Sequence, residues 1–181
     1  GNVLLNFKPD KFLSRTYEDK KIIRDLQDIV FGGSEWLMLD EGIMTVTEVK
    51  TKLCAIHVEY AKDIARIFDS YIDMFTPVQS TVNVLKKLHS EGHRLLYLSN
   101  FHMEAFDRVF EKFEFFGHFE GGVVSSKVRL MKPDEKIFNK LSEVYGLIPE
   151  ECVLVDDTRV NILKAKELGF KTILFDMNID L

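Results

Sequence analysis

From Pro77 onward, the sequence alternates between short apolar segments and longer segments whose apolar residues recur at helix spacing. The short segments are predicted strands, at residues 94–98, 121–125, 152–155 and 172–175. The longer segments between them are predicted helices, and Pro133 suits the first turn of one of them. Such alternation is typical of right-handed β-α-β units, which build a parallel sheet covered by helices. The sequence therefore predicts an α/β fold, a Rossmann-like parallel sheet with helices on both faces.

The segment from about Tyr17 to Phe75 has no strand pattern. Its apolar residues recur at helix spacing in several successive stretches, and glycines at positions 32, 33 and 42 interrupt the pattern. The residues before it have the pattern of a strand end followed by a loop that Pro9 closes. We therefore predict that residues 17–75, named the helical segment below, form a small all-helical bundle.

Charge and cysteine content exclude several classes of function. The formal net charge is -5, and the basic residues are spread along the chain, so no patch for nucleic acid or an anionic membrane is predicted. Cys54 and Cys152 have apolar surroundings and no paired spacing, which favours a reducing compartment. No apolar run reaches the roughly 18 residues of a membrane span. These features predict a soluble cytoplasmic protein, and they leave open whether it is a monomer or a homodimer.

Polar residues follow three of the predicted strands, at the sheet edge where ligands bind in open α/β folds. They are Ser99 with Asn100, Lys132, and Asp156 with Asp157. Two adjacent carboxylates repel each other, and a hard cation such as Mg²⁺ between them relieves that repulsion. Each group alone also fits an ordinary role, as a turn, a solvated lysine or a helix cap. Their shared edge favours a metal and anion site.

The order of these motifs resembles that of the haloacid dehalogenase superfamily. Residues 96–100 resemble its second motif, a strand ending in Ser or Thr, and residues 129–133 resemble its Lys-Pro motif. Residues 153–157, with Asn161 downstream, resemble its metal-binding acids. The resemblance implies a magnesium-dependent phosphatase that forms an aspartyl-phosphate. It also implies that Ser99 and Lys132 are catalytic.

The same resemblance assigns binding roles to the remaining residues. Ser99, Asn100 and Lys132 would bind the phosphate of a small phosphorylated metabolite, and Asp156 and Asp157 would bind Mg²⁺. The helical segment would be the family's cap, inserted into a core of residues 1–16 and 76–181. Its residues 35–42 resemble the part of the cap that faces the active site in sugar-phosphate phosphatases of this type. Trp36 and Asp40 are therefore candidate substrate-binding residues.

The start of the chain resembles the end of the family's first motif. By that alignment, the Gly1 backbone carbonyl would bind the metal, and the nucleophilic Asp would lie two positions before Gly1. The family's first strand lies between the strands that here end at Ser99 and Asp156. Without it, unpaired backbone groups would cost about 1 to 3 kcal/mol each. We therefore predict that the native chain extends before Gly1 by one strand of about 5 to 8 residues.

Gly1 also occupies the position of the acid-base Asp of the family's phosphatases. Such a residue contributes roughly 100-fold to 10,000-fold to the rate. The resemblance leaves two sources of acid-base catalysis open, residues 35–42 of the helical segment and His102, which lies just past Ser99 and Asn100. It also leaves two other functions open. One is a 2-haloacid dehalogenase-like hydrolase, which needs no metal, and the other is an inactive binding or regulatory module.

Overall fold

The computed structural model describes residues 2–176 of the chain. Its α-helices and strands alternate in the order that the sequence predicts after Pro77. The α-helices are α1 (Pro9–Leu13), α2 (Lys20–Leu26), α3 (Ser34–Glu41), α4 (Val46–Ile56), α5 (Ala61–Ser70), α6 (Gln79–Ser90), α7 (Met103–Lys112), α8 (Ser125–Val128), α9 (Glu135–Tyr145) and α10 (Arg159–Glu167). The strands are β1 (Leu5–Asn6), β2 (Thr76–Pro77), β3 (Leu96–Ser99), β4 (Gly121–Val124), β5 (Val153–Asp156) and β6 (Lys171–Leu174).

Local sequence signals explain where the helices of the helical segment begin and end. Asp19 caps α2 by accepting from the backbone N–H of Lys21 at 2.7 Å. Thr45 and Glu48 form a reciprocal capping box at the start of α4. Gly42 ends α3 in the left-handed conformation, with φ at 75°. No strand lies between β1 and β2, so the prediction of an all-helical stretch is confirmed.

Two local features differ from the sequence-based expectation. Helix α1 was not predicted, because its five residues are too few for a periodic pattern. Pro133 precedes α9 instead of opening it, and its peptide bond with Lys132 is cis. Asp134 is the N-cap, since its side chain accepts from the backbone N–H of Lys136 at 2.9 Å.

The strands after Pro77 pair in parallel, as predicted, but in two separate pairs. Leu96 to Ser99 of β3 pair with β4, and Val153 to Asp156 of β5 pair with β6. Within residues 2–176, no backbone ladder joins the two pairs, and β1 pairs only with β2, in antiparallel orientation. The edges of β3 and β5 are therefore not paired with each other.

Two hydrophobic clusters position the helices around these strands. The larger one runs from the helical segment into α6 and α7 without interruption, and Tyr97 of β3 packs against it. The smaller one packs Ile137 and Phe138 of α9 against the other face of β3 and β4, and it also includes Ala165 of α10, a helix that contacts β5 and β6. The fold is thus α/β, with helices on both faces of the β3–β4 pair. The β5–β6 pair exposes Val153, Val155 and Ile173 on the face away from α10.

Among residues 2–176, no helix has the length and hydropathy needed to cross a bilayer.

Candidate active site

A cavity of about 200 Å³ lies where the carboxyl ends of β3 and β5 meet the helical segment. Seven candidate residues from the sequence analysis line this cavity, namely Trp36, Asp40, Asn100, His102, Lys132, Asp156 and Asp157. They come from α3, from the turn after β3, from the end of β5 and the turn after it, and from the loop before α9. Residues 120 positions apart in sequence therefore share one small polar space.

Lys132 and Asp156 form the most buried ion pair of this cavity. Lys132 Nζ lies 2.5 Å from Asp156 Oδ2, and the two side chains are only 9% and 5% exposed. Lys132 Nζ also donates to the backbone carbonyl of Leu98 in β3, at 2.8 Å. One ammonium group thus connects β3 with the end of β5. Burial alone would raise the pKa of Asp156, but the Lys132 charge and several hydrogen bonds outweigh it and hold that pKa below its usual value.

The two adjacent aspartates have different surroundings. Asp156 Oδ1 accepts from the backbone N–H of Thr158 at 2.8 Å and from Asn161 Nδ2 at 2.9 Å, so both of its oxygens are occupied by protein donors. Asp157 has weaker contacts, a 3.1 Å bond from Asn2 Nδ2 and a 3.5 Å contact with the Thr158 hydroxyl. Asp157 is therefore the carboxylate that can take a new ligand with little competition.

Asn100 fixes the loop that carries Lys132. Its Nδ2 donates to the backbone carbonyl of Lys132 and its Oδ1 accepts from the backbone N–H of the same residue, both at 2.9 Å. Ser99 ends β3, is half-buried, and is not among the residues that line the cavity. The structure thus brings Asn100 into the cavity, and a direct role for Ser99 stays a prediction.

Trp36 and Asp40 reach the cavity from α3 of the helical segment. Asp40 Oδ1 lies 3.3 Å from Nδ1 of His102, a buried residue that precedes α7. The edge of the Trp36 ring meets the His102 ring, with centroids 5.1 Å apart. These contacts hold one wall of the cavity against the core.

The donor chemistry of the cavity fits a hard cation in part. Mg²⁺ prefers oxygen ligands and binds through one or two carboxylates, which Asp157 and Asp156 offer here. No group of three or more acidic, histidine or cysteine side chains with metal-site geometry occurs among residues 2–176. The carbonyl of Gly1, which was predicted as a third ligand, lies outside the described residues. A complete ligand set thus needs groups beyond these two carboxylates.

Asn2 is the site residue that the sequence reasoning missed. It lines the cavity, donates to Asp157 and accepts at Oδ1 from the backbone N–H of Phe7 at 2.9 Å. Its φ of 49° is in the left-handed region, which Asn tolerates better than most residues. An Asn directly after a glycine is a turn signal, and that was the available clue.

Comparisons with known proteins identify the family of the chain. The family model for haloacid dehalogenase-like hydrolases matches residues 12–169. A drimenol cyclase from Aspergillus calidoustus is 25% identical over 143 residues, which are 77% of this chain and 27% of that protein. The chain therefore spans about a quarter of the length of this relative.

Solved structures of low sequence identity share the fold. A haloacid dehalogenase family enzyme from Bacteroides thetaiotaomicron, solved as a magnesium complex, is 21% identical, with a TM-score of 0.75 over 99% of this chain and 91% of that one. The same enzyme was also solved with magnesium and inorganic phosphate. The L-2-haloacid dehalogenase from Xanthobacter autotrophicus is 17% identical, with a TM-score of 0.65 over 92% of this chain and 71% of that one.

Proposed function

The chain belongs to the haloacid dehalogenase-like hydrolases, and we propose that it is a magnesium-dependent phosphatase of a small phosphorylated metabolite, a sugar phosphate in particular. The observation that carries this proposal is the buried contact between Lys132 and Asp156 beside the open carboxylate of Asp157. A fixed cation next to a candidate metal ligand suits phosphoryl transfer, in which catalysis depends mainly on positioning and electrostatics. The Bacteroides relative, solved with magnesium and phosphate, supports the same substrate class.

Each residue has a role in this proposal. Lys132 neutralises charge on the phosphate and on the nucleophile, while Asn100 holds the Lys132 loop in place. Ser99 donates a hydrogen bond to a phosphate oxygen. Asp157 would be the main protein ligand of Mg²⁺, with Asp156 next to Asp157 in the site. When bound, Mg²⁺ would offset the repulsion between the phosphate and the carboxylates.

The nucleophile belongs to the residues that we propose precede Gly1. β3 and β5 are not paired with each other, and Lys132 contacts the carboxyl end of each, which supports a strand between them that could hydrogen-bond to both. Such a strand would carry its final Asp to the carboxyl ends of β3 and β5, where the cavity lies. If the encoded protein begins at Gly1, it lacks this nucleophile and is an inactive binding module.

We propose the same domain division as the resemblance implies, with a cap of residues 17–75 on a core of residues 1–16 and 76–181. Trp36 and Asp40 then act as the substrate-facing residues of the cap. The protein is proposed to act in the cytoplasm as a monomer or homodimer.

The test is phosphate release by the full-length protein across a panel of sugar phosphates, with Mg²⁺ and with a chelator. We expect turnover that the chelator abolishes and that added Mg²⁺ restores. Lys132→Met should abolish turnover, whereas Lys50→Met should retain it, because Lys50 pairs with Asp69 away from the cavity. Absence of phosphate release across the panel would refute the proposal.

Dehalogenation is the second candidate, because the Xanthobacter dehalogenase shares the fold. It is disfavoured by the adjacent Asp156 and Asp157, whose repulsion serves no purpose in a metal-free reaction. Halide release from a 2-haloacid in the presence of chelator would favour dehalogenation over phosphate hydrolysis.

A further inference from the structure

His102 connects the helical segment to the α/β core through two hydrogen bonds. Its side chain is 3% exposed and lies between α3 and the 3₁₀ turn that follows α5. Nδ1 is 3.3 Å from Asp40 Oδ1, and Nε2 is 3.0 Å from the hydroxyl of Tyr71. The Tyr71 ring also stacks on the His102 ring, with centroids 5.4 Å apart. A buried imidazole is thus fixed at both nitrogens and on one face.

A carboxylate can only accept a hydrogen bond, so Nδ1 of His102 is the donor towards the Asp40 carboxylate. Burial, together with the charge of Glu104, raises the pKa of Tyr71 well above its usual value, so the hydroxyl stays protonated. A protonated hydroxyl can donate to Nε2 or accept from it, so the contact with Tyr71 is compatible with an N–H group at Nδ1. The Nδ1–H group then donates to Asp40 Oδ1.

Asp40 is also fixed through its backbone. The Ser125 hydroxyl donates to the Asp40 carbonyl, and the same hydroxyl accepts from the backbone N–H of Phe101 at 2.9 Å. Two positions further on, Gly42 lies so close to the Ser126 backbone that a Cβ atom would overlap it. These contacts hold the end of α3, including the Asp40 backbone, against the start of α8.

Only one of the two carboxylate oxygens of Asp40 is held. Oδ1 contacts His102, and no hydrogen bond to Oδ2 occurs among residues 2–176. The Asp40 side chain is 18% exposed and lines the same cavity as Lys132 and Asp157. A carboxyl group with one oxygen anchored and the other free, facing a reaction space, has the arrangement of a general acid and base.

From this geometry we propose that Asp40 is the acid-base catalyst of the reaction and that His102 is its positioning residue. The inference rests on the proposed phosphatase function. It adds that Asp40 supplies the acid-base catalysis that the family's phosphatases obtain from an Asp at the position of Gly1. In the first step, the nucleophilic carboxylate bonds to phosphorus, the ester P–O bond breaks, and protonated Asp40 gives its proton to the leaving alkoxide. In the second step, the Asp40 carboxylate takes a proton from water as that water attacks the aspartyl-phosphate, which releases inorganic phosphate and restores both carboxyl groups.

The test compares two leaving groups in the full-length protein with Mg²⁺. An alkyl phosphate such as glycerol phosphate needs its leaving oxygen protonated, whereas p-nitrophenyl phosphate releases a stable anion that does not. We expect Asp40→Asn to lower kcat/KM for the alkyl ester by about 100-fold or more, and for the aryl ester by less than about 10-fold. The matched control is Glu41→Gln, an adjacent carboxylate that does not line the cavity and should keep both rates.

His102 is tested by the same ratio of alkyl to aryl activity. His102→Asn retains an N–H donor near the position of Nδ1 and should keep the wild-type ratio within about 3-fold. His102→Phe fills the ring volume without a donor and should shift the ratio towards that of Asp40→Asn. Thermal unfolding of each variant reports whether it is folded.

The outcomes separate the two proposals. Wild-type protein that releases no phosphate from either ester would refute the phosphatase and, with it, the role of Asp40. Active wild-type protein with an Asp40→Asn variant that loses both activities equally, or neither, would overturn this inference and leave the phosphatase standing.

Discussion

Replacing Lys132 by methionine tests the ion pair on which the site depends. Methionine retains the length of the side chain and removes the ammonium group, so Asp156 keeps its negative charge in a position that is 5% exposed. Breaking a buried pair in this way costs about 3 to 5 kcal/mol. We expect the free energy of unfolding to fall by about 3 kcal/mol, the lower end of this range, because Thr158 and Asn161 still donate to Asp156 Oδ1. Such a loss corresponds to roughly a 150-fold rise in the unfolding equilibrium constant.

The assay is urea denaturation of the full-length protein in chelator, so that no bound metal contributes to stability. The double variant Lys132→Met with Asp156→Asn should recover most of the loss, because it removes the unpaired charge. Lys50→Met is the matched control. Its pair with Asp69 is 2.6 Å long, but the two side chains are 32% and 69% exposed, so we expect a change of about 1 kcal/mol or less. If Lys132→Met and Lys50→Met lower the free energy of unfolding equally, burial does not control the strength of these ion pairs and the prediction is refuted.

Three further predictions concern backbone conformation and pH. Gly42→Ala should lower the free energy of unfolding by more than about 2 kcal/mol, because the added Cβ would overlap a backbone carbonyl and the residue is in the left-handed conformation. Gly146 also has a left-handed φ, 60°, but has open space around it, so Gly146→Ala should lower that free energy by only about 1 kcal/mol. Urea denaturation measures both values. Asn2→Gly and Asn2→Ala both remove the hydrogen bond to Asp157, so each should weaken Mg²⁺ binding about 10-fold or more, as measured by calorimetry. Because Asn2 has a positive φ, the alanine variant should also be about 1 kcal/mol less stable than the glycine variant. Equal stabilities would contradict the observed conformation of Asn2. Burial and a hydrogen bond to the Asp63 carboxylate raise the pKa of Tyr17 to about 12. The stabilisation that the protonated Tyr17 hydroxyl provides should therefore be complete below about pH 10 and be lost as the pH rises towards 12. The tyrosinate absorbance of the wild type minus that of Tyr17→Phe measures this ionisation.

Much of the fold could be predicted because its signals are local. The alternation of strand and helix patterns after Pro77 predicts the parallel direction of the strands, though not their division into two pairs, and the predicted boundaries differ from the observed ones by one or two residues. Thr45 and Gly42 mark helix ends by chemistry that acts within one turn. Helix α1 was missed because a single turn and a half has no period to detect.

The candidate site could be predicted only as far as the strand ends. Asp156, Asp157 and Lys132 follow from the rule that ligands bind at the carboxyl edge of a parallel sheet. The bond between Asp40 and His102 joins residues 62 positions apart, and nothing local specifies it. It depends on how the helical segment packs on the core, which is set by many weak apolar contacts together.

The charges of the cavity connect the proposed metal with the proposed acid. Among the lining residues that the structure describes, three carboxylates face one lysine, with His102 as the remaining titratable group. A phosphate ester would add further negative charge to a space that already has an excess of it. Coulomb repulsion between unit charges about 4 Å apart is about 4 kcal/mol at a partly buried site. A divalent cation beside Asp157 and a proton on Asp40 each remove part of this repulsion, and the substrate then supplies the group that accepts that proton. Metal binding at one wall and a proton on Asp40 at the other thus both reduce the excess negative charge of the cavity.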